Sequence, residues 1–420
     1  MKRFAWFYLG MHVKRWFVLI FLGMFIVAIG LNEQLSLIKE QLVLLLELPN
    51  YFNLLLIIGG CLVVLLGIMR LTSSLITQVA PVVDEDLVDI IYRQRLLKRG
   101  PKVVAFGGGT GLPVVLHGIK EFTSNITAVV AVSDDGGSSG ELRKRMNIPP
   151  PGDIRNCLVA LADAEPLMGK LFLYRFEQKA NLSSHNFGNL FIAALTAVVG
   201  DFEEAVRLSS KILSIRGRVV PVTSANIKLR AYFTDGTSAE GEARIPKVQK
   251  EIKRIELVPS DCKVNPEVLT QLAEADIIII GPGSLYTSII PTLLVSGVAD
   301  AIRKSTAVKL YVSNVMTQPG ESTDFMAHHH LQAINEHSAG PLVDYILIND
   351  AEIEEPLLEK YRQKGAIPVN FDSEKLASLG VKVIREPIIS KTDFVRHDGD
   401  ALASAIFDLW LKCREKEGIA

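Results

Sequence analysis

The sequence has little cysteine: Cys61, Cys157, Cys262 and Cys413 are the only four in 420 residues. None forms a CxxC pair, a pattern that fits a reduced compartment better than a disulfide framework or a zinc site. A charge excess of either sign is also lacking. Lys+Arg number 45 against 46 Asp+Glu, for a net charge of -1. This argues against a general nucleic-acid binder, whose phosphate contacts need clustered basic charge. There is no low-complexity tract, no fixed-period repeat, no HExxH and no GxSxG elbow.

Long hydrophobic runs, by contrast, are present near the start. Trp16 to Leu31 and Leu54 to Met69 carry no charge. Each is slightly short of the ~20 residues that span a bilayer, but aromatic and amide flanks lengthen both. A cleaved signal peptide and a pair of buried core helices are the alternatives; the second run close behind the first weakens the former. Lys2, Arg3, Lys14 and Arg15 precede the first run, and Arg70, Arg93, Arg95, Lys98 and Arg99 follow the second. The connection holds Glu33, Lys39, Glu40 and Glu47, with one base among them. The positive-inside rule then puts both ends in the cytoplasm and residues 32–50 outside. The expected organisation is a membrane hairpin over 1–71 (helices about 16–31 and 52–69), a linker helix over 72–100, and a domain over 101–420 on the cytoplasmic side of the inner membrane.

Beyond Pro101, short apolar runs alternate with helical stretches. Lys102–Phe106, Ile126–Val132, Asp276–Ile280, Val308–Val312 and Tyr345–Ile348 suit strands buried on both faces, joined by helical crossovers. The predicted fold is α/β, a doubly wound, mainly parallel sheet. Ligands in such sheets collect beyond the carboxyl ends of the strands, so the residues there carry the functional reading.

After the first strand come Gly107, Gly108, Gly109, Thr110 and Gly111. Glycines let the backbone approach a phosphate, and the following helix offers free N–H groups. No Lys-Ser/Thr follows, so this is not a P-loop, and Leu112 stands where a GxGxxG pattern needs its third glycine. A tight structural turn is the plainer reading. After the second strand comes SDDGGSSG, Ser133 to Gly140. Asp134 stands where a ribose-binding acid would be, and Asp134 with Asp135 could instead hold Mg²⁺, substrate phosphates completing its shell; an ordinary Asp-Gly turn is the third reading. GPGSLYTS follows the strand at Asp276–Ile280: Gly281 and Gly283 free the backbone, Ser284 and Thr287 offer hydroxyls, and Tyr286 can stack on a base. Ser284 could also be a simple helix cap. SNVMTQPGE, with Asn314, follows the next strand, while PPPGDIRNCL and SSHNFGNL add Asp153, Arg155, Asn156, His185, Asn186 and Asn189. Amides, glycines and a few charges at several strand ends suit a nucleotide-like ligand. The run His328, His329, His330 cannot face one metal from a helix and reads as a solvated or capping patch.

GGGTGL, SDDGGSSG, PPGDIRNCL, NFGNL, GPGSLYTS and NVMTQPGE, in that order, resemble the gluconeogenesis factor family of the YvcK type. That family is related to the phospholactate transferase of deazaflavin cofactor biosynthesis. The resemblance runs from Pro101 to about Leu411. It implies a Rossmann-like fold, binding of UDP-sugars such as UDP-N-acetylglucosamine, and a role in cell shape and envelope synthesis during growth on gluconeogenic carbon, with no established catalysis. On the resemblance, the ligand-binding residues are Gly107, Gly108, Gly109, Thr110, Gly111, Ser133, Asp134, Asp135, Asn186, Asn189, Gly281, Gly283, Ser284, Tyr286, Thr287 and Asn314. Envelope-synthesis proteins are the implied partners, a homo-oligomer is allowed, and no nucleic acid is expected. Family members are often soluble, so the hairpin is a departure. Two functions follow: a UDP-sugar-binding regulator at the membrane, or a Mg²⁺-dependent transferase acting on a phospho-substrate.

Overall fold

The structure, a computed structural model, describes residues 14–31, 52–79, 95–163, 166–176, 185–390 and 394–416. The chain divides into two compact units between Arg93 and Gln94. In the first unit, α1 (Lys14–Leu31) and α2 (Phe52–Val79) are both strongly apolar. They pack antiparallel through small residues: a methyl on Gly23 would stand 2.8 Å from Val64, and one on Gly60 2.6 Å from Val27. Close glycine contacts of this kind bring helix backbones together where the surroundings are themselves apolar. Among the described residues only α2 holds a segment long and apolar enough to cross a membrane, Leu54–Thr72, with a mean hydropathy of 2.6. Arg15–Leu31 is a shorter apolar helix, so the expected pair of spans is reduced to one by length. Residues 72–79, expected to open the linker helix, continue α2 instead; residues 80–94 of that linker lie outside the described residues.

Among the described residues of the second unit, ten strands form two sheets. The larger has seven parallel strands, β1 (Val103–Gly107), β2 (Ile126–Val130), β3 (Arg218–Pro221), β7 (Ile277–Ile280), β8 (Val308–Val312), β9 (Tyr345–Asn349) and β10 (Lys382–Glu386), in the order β10-β9-β8-β7-β1-β2-β3. The smaller is antiparallel, with β4 (Lys228–Phe233), β5 (Ser238–Glu240) and β6 (Ile252–Val258). All five strands expected from apolar runs are present within two residues. The parallel order makes the unit a Rossmann-like α/β fold whose strand order reverses beside β1.

Alternation puts one set of β1 and β7 side chains on each face. Val104, Phe106, Ile278 and Ile280 join a core with the small sheet, including Leu229, Phe233 and Ile255. Val103, Ala105, Ile277 and Ile279 join the opposite core. That second core is covered by α3 (Gly111–Ile119), α5 (Gly152–Leu161), α7 (Phe187–Val199), α8 (Phe202–Ile212) and α15 (Gly399–Lys416). The remaining helices are α4 (Gly137–Met146), α6 (Pro166–Leu173), α9 (Pro266–Ala273), α10 (Ile290–Leu294), α11 (Val298–Lys304), α12 (Ala327–His337), α13 (Glu355–Arg362) and α14 (Ser373–Ser378). Burying both faces of the central strands leaves their carboxyl ends as the place where polar loops gather.

Candidate functional site

The sheet register brings the loops after β1, β2 and β7 level with one another, because Gly107 pairs with Val130 and Phe106 with Ile280. The glycine loop therefore lies between the β2 and β7 loops, at the reversal of strand order. Three of its four glycines, Gly108, Gly109 and Gly111, answer to a close contact or a positive φ. A methyl on Gly111 would overlap the Pro282 carbonyl oxygen, so the β1 and β7 loops touch backbone to backbone. A methyl on Gly108 would stand 2.6 Å from Asp153 Oδ2. Gly109 has φ +60° and donates its N–H to that same oxygen at 2.7 Å. Gly107 has room for a methyl at ordinary contact distance, with Leu112 Cβ at 3.4 Å. Much of the glycine density thus serves loop-on-loop packing. Asn314 fixes the opposite wall: its amide accepts from the Gly283 N–H at 3.3 Å and donates to the Gly283 carbonyl at 2.9 Å. Ser284 Oγ accepts from Gln318 Nε2 at 3.0 Å.

The helices that open onto this region lack side-chain caps. Thr110, Gly136, Pro151 and Asn186 stand at the N-termini of α3, α4, α5 and α7 without a capping hydrogen bond. Elsewhere, Asp201, Asn265 and Asp372 cap α8, α9 and α14, while α10, α11 and α13 also lack side-chain caps; what distinguishes this region is that four uncapped N-termini gather there. Uncapped first-turn N–H groups carry positive potential and are free for an anionic ligand.

Carboxylates line the floor. Burial, reinforced by Asp134, pushes Asp153 up to about 6 against the pull of the Gly109 N–H and Arg155. Burial also pushes Glu321 up to about 7, although Thr287 Oγ1 donates to its Oε1 at 3.0 Å. Its other oxygen is buried and unpartnered. Glu242 is raised well above the usual range by burial and by Asp134, Asp153, Glu321 and Asp135. Asp134 Oδ1 accepts from the Gly136 N–H at 2.9 Å, and Asp135 Oδ1 from the Ala243 N–H at 2.9 Å. The two aspartates are thereby tied to different loops. Among the described residues no three His, Cys, Asp or Glu side chains gather as metal ligands. A Mg²⁺ held by this pair would need other ligands, such as substrate phosphates, to complete its shell.

Two cavities lie on either side of Gly109. One, about 280 Å³, is lined by Asp134, Ser138, Asp153, Arg155, Arg175, Asn186 and Asn189. Arg155 donates to Asn189 Oδ1 at 2.8 Å and to Asn156 Oδ1 at 2.7 Å, and its Nε is buried without a partner. Asn189 in turn donates to Ser138 Oγ at 3.0 Å, which also meets His185 Nδ1 at 3.0 Å. The other cavity, about 310 Å³, is lined by Gly109, Thr110, Gly111, Gly283, Ser284 and Asn314, and by Tyr361, Phe394, Arg396 and His397 from the end of the chain. His397 Nε2 donates to the Ser313 carbonyl at 3.1 Å. Burial pushes it down to about 4.

Some sequence expectations fall elsewhere. Ser133 and Thr287 are buried, with Ser133 Oγ on the Thr287 carbonyl at 3.3 Å, so they brace the loops. Gly281 (φ +79°) turns the chain out of β7. Tyr286 is 4% exposed and packs edge-on to Phe325 and His337, lining a cavity apart from the glycine loop. The histidine run is not solvated: His328 and His330 are buried, and His330 Nδ1 meets the Tyr311 hydroxyl at 2.8 Å. His329 does cap α12, accepting the Met326 N–H at 3.0 Å. Glu242, Arg175, Tyr361, Phe394, Arg396 and His397 were not singled out from the sequence. They lie outside the six motifs, Tyr361 in α13 and Arg175 bridged to Asn186.

The profile of the family described as 2-phospho-L-lactate transferase CofD matches residues 103–389. The gluconeogenesis factor of Bacillus subtilis is 47% identical, over 74% of this chain and 98% of its own. That of Halalkalibacterium halodurans is 48% identical, over 73% of this chain and 95% of its own. A Nostoc protein is 42% identical over 96% of this chain and 91% of its own, so its match extends into the N-terminal unit. A crystal structure of a Bacillus halodurans protein superposes with a TM-score of 0.72 at 47% identity, covering 74% of this chain and 100% of that one.

Proposed function

The chain belongs to the family described as 2-phospho-L-lactate transferase CofD, with gluconeogenesis factors as its relatives, and from that premise we propose that it is a UDP-sugar-binding regulatory protein of envelope synthesis. The observation that carries this reading is the set of uncapped N-termini of α3, α4, α5 and α7 around Gly109. Such N-termini bind phosphate groups. The flanking cavities of about 310 and 280 Å³ give a nucleotide and its sugar room on either side. Tyr361 offers an aromatic ring to a base, and Arg396, which lies over the Phe394 ring at 5.3 Å, a charge to the diphosphate. Calorimetry of the full chain in detergent with UDP-N-acetylglucosamine tests it. The expected result is saturable binding with the ligand recovered intact; no binding at millimolar ligand overturns it.

The pocket of Arg155, Arg175 and Asp153 beside Gly109 favours the second reading, a transferase with a phosphorylated acceptor there. Incubation with UDP-sugar, Mg²⁺ and phosphorylated acceptors, followed by mass spectrometry, separates the two. A new product lost in Asp153→Asn would make the protein an enzyme.

The N-terminal unit is, on this proposal, a hairpin in the inner membrane with the second unit in the cytoplasm. In its support, the side chains of Phe21, Phe25, Leu55, Ile58, Leu62 and Leu66 are exposed apolar surface. The 18 residues of α1 reach about 27 Å at a rise of 1.5 Å each, close to the hydrocarbon thickness. Arg15 and Arg70 both lie over the Trp16 ring, at 4.7 and 6.0 Å from its centre, which puts their charges at one end of the hairpin.

A further inference from the structure

We propose that the cavity beside Tyr286, between the start of β6 and the start of α12, is a second ligand site, one that takes an organic cation bearing a guanidinium or primary ammonium group. Its volume is about 490 Å³, enough for a small ligand or one basic side chain. Tyr286 forms its inner wall. The residue is 4% exposed and lines the cavity, and its hydroxyl has no hydrogen-bond partner among the described residues. Phe325 stands edge-on to it at 6.3 Å, and His329 is tilted against Phe325 at 5.5 Å. Burial lowers the proton affinity of His329, so it adds a neutral ring at neutral pH.

Around these rings stand Glu251, Asp324 and Glu336, all exposed, none in an ion pair with another described residue. Lys253 is the one base among the lining residues. Burial first, and then Glu336, Glu251 and Glu321, hold the Tyr286 phenol protonated and neutral. Aromatic faces attract a cation through their quadrupole, and carboxylates at the mouth neutralise its charge. The turn Leu285–Ile289 that carries Tyr286 is a π-helical turn, a form that recurs at functional positions.

The cation could be a free amine or an arginine side chain of a protein partner. The test titrates the full chain in detergent with spermidine and, separately, with the peptide acetyl-Ala-Arg-Ala-amide, both at moderate salt. The expected result is a Kd of about 1 mM or tighter for at least one probe. It should weaken at least tenfold in the double variant Glu251→Gln, Glu336→Gln and severalfold in Tyr286→Phe. UDP-N-acetylglucosamine binding, unchanged in the double variant, reports that the fold is intact. Tighter binding of spermidine supports a free amine, and tighter binding of the peptide supports a protein side chain. If neither probe binds, or if both bind the double variant as tightly as the native chain, the proposal is overturned.

Discussion

The main-chain N–H of Gly109 donates to Asp153 Oδ2 at 2.7 Å, and a methyl at Gly108 would stand 2.6 Å from the same oxygen. The glycine loop is therefore held down by a carboxylate from α5 on one side and is open on the other. Asp134, Glu242 and Glu321 lie close enough for their charges to oppose one another, as the raised proton affinities of Asp153 and Glu242 show. Burying charged carboxylates together in this way costs stability, and the cost has a pH signature.

Asp153 binds its proton more tightly in the folded chain, at about 6 against 3.8. Its stabilising contribution is present below pH 3.8 and is lost as the pH rises through 6. Asp153→Asn removes the charge and keeps an oxygen for Gly109. The variant should match the native chain in stability near pH 4 and exceed it at pH 7.5 by about 1–3 kcal/mol. His330 and His397, pushed down by burial to about 3 and about 4, run the other way. They cost stability as the pH falls below 6.5, so the comparison must be made between variant and native chain at each pH. Urea midpoints at pH 4, 5.5 and 7.5 give the answer, and a difference that does not change with pH would remove the charge argument.

Gly111 makes the second prediction. Its Cα faces the Pro282 carbonyl with no space for a methyl, whereas Gly107 has room at contact distance. Gly111→Ala must push the β1 and β7 loops apart and should cost at least about 1–3 kcal/mol. Gly107→Ala should cost less than half as much. Thermal unfolding of the two variants compares them directly, and equal losses would show that the loops yield without strain.

Five of the seven parallel strands were legible because burial on both faces demands unbroken apolar runs such as Ile277–Ile280, whereas β3 opens on Arg218 and ends on Pro221. β4 was not, although its burial alternates strictly from Lys228 to Phe233: that period-two pattern belongs to a sheet with one dry face, and Lys228 and Arg230 interrupt any apolar run. β10, with Lys382, Arg385 and Glu386 on an edge, carries too much charge to resemble a core strand. At the site, the glycines and Asn314 stood out because they cluster within a few residues. Glu242 and Arg396 did not, because only the folded chain brings them to the crevice. Tyr286 lay inside a legible motif, but its direction depends on a π-helical turn that residue types alone do not reveal.

Asn314 separates a crevice ligand from one near Tyr286. Its amide makes two hydrogen bonds to Gly283, which shapes the wall facing Gly109. Asn314→Ala should weaken UDP-N-acetylglucosamine by about 1–3 kcal/mol, the cost of leaving buried polar groups unpaired. Tyr286→Phe should leave that affinity within about twofold, since it keeps the ring in its packing. The reverse ranking, measured by calorimetry, would return Tyr286 to the nucleotide site.

The last prediction concerns the N-terminal unit. Arg15 and Arg70 flank Trp16 at one end of the hairpin, and Arg93, Arg95, Lys98 and Arg99 follow in the sequence. The segment between the helices, residues 32–50, contains a single base, Lys39. Basic residues are retained on the cytoplasmic side, so both termini should lie there and residues 32–50 outside. A short α1 does not prevent this, because flanking aromatic and basic side chains extend toward the interfaces and a local thinning of the bilayer costs only fractions of a kcal/mol per Å. Glu40→Cys should react with a membrane-impermeant maleimide in intact cells, and Asp89→Cys only after the cells are opened. If Asp89→Cys labels from outside while Glu40→Cys stays silent, the hairpin is inverted and the crevice at Gly109 faces away from any cytoplasmic UDP-sugar. If neither labels until lysis, the two helices do not cross, and the N-terminal unit must bury its apolar faces by some other association.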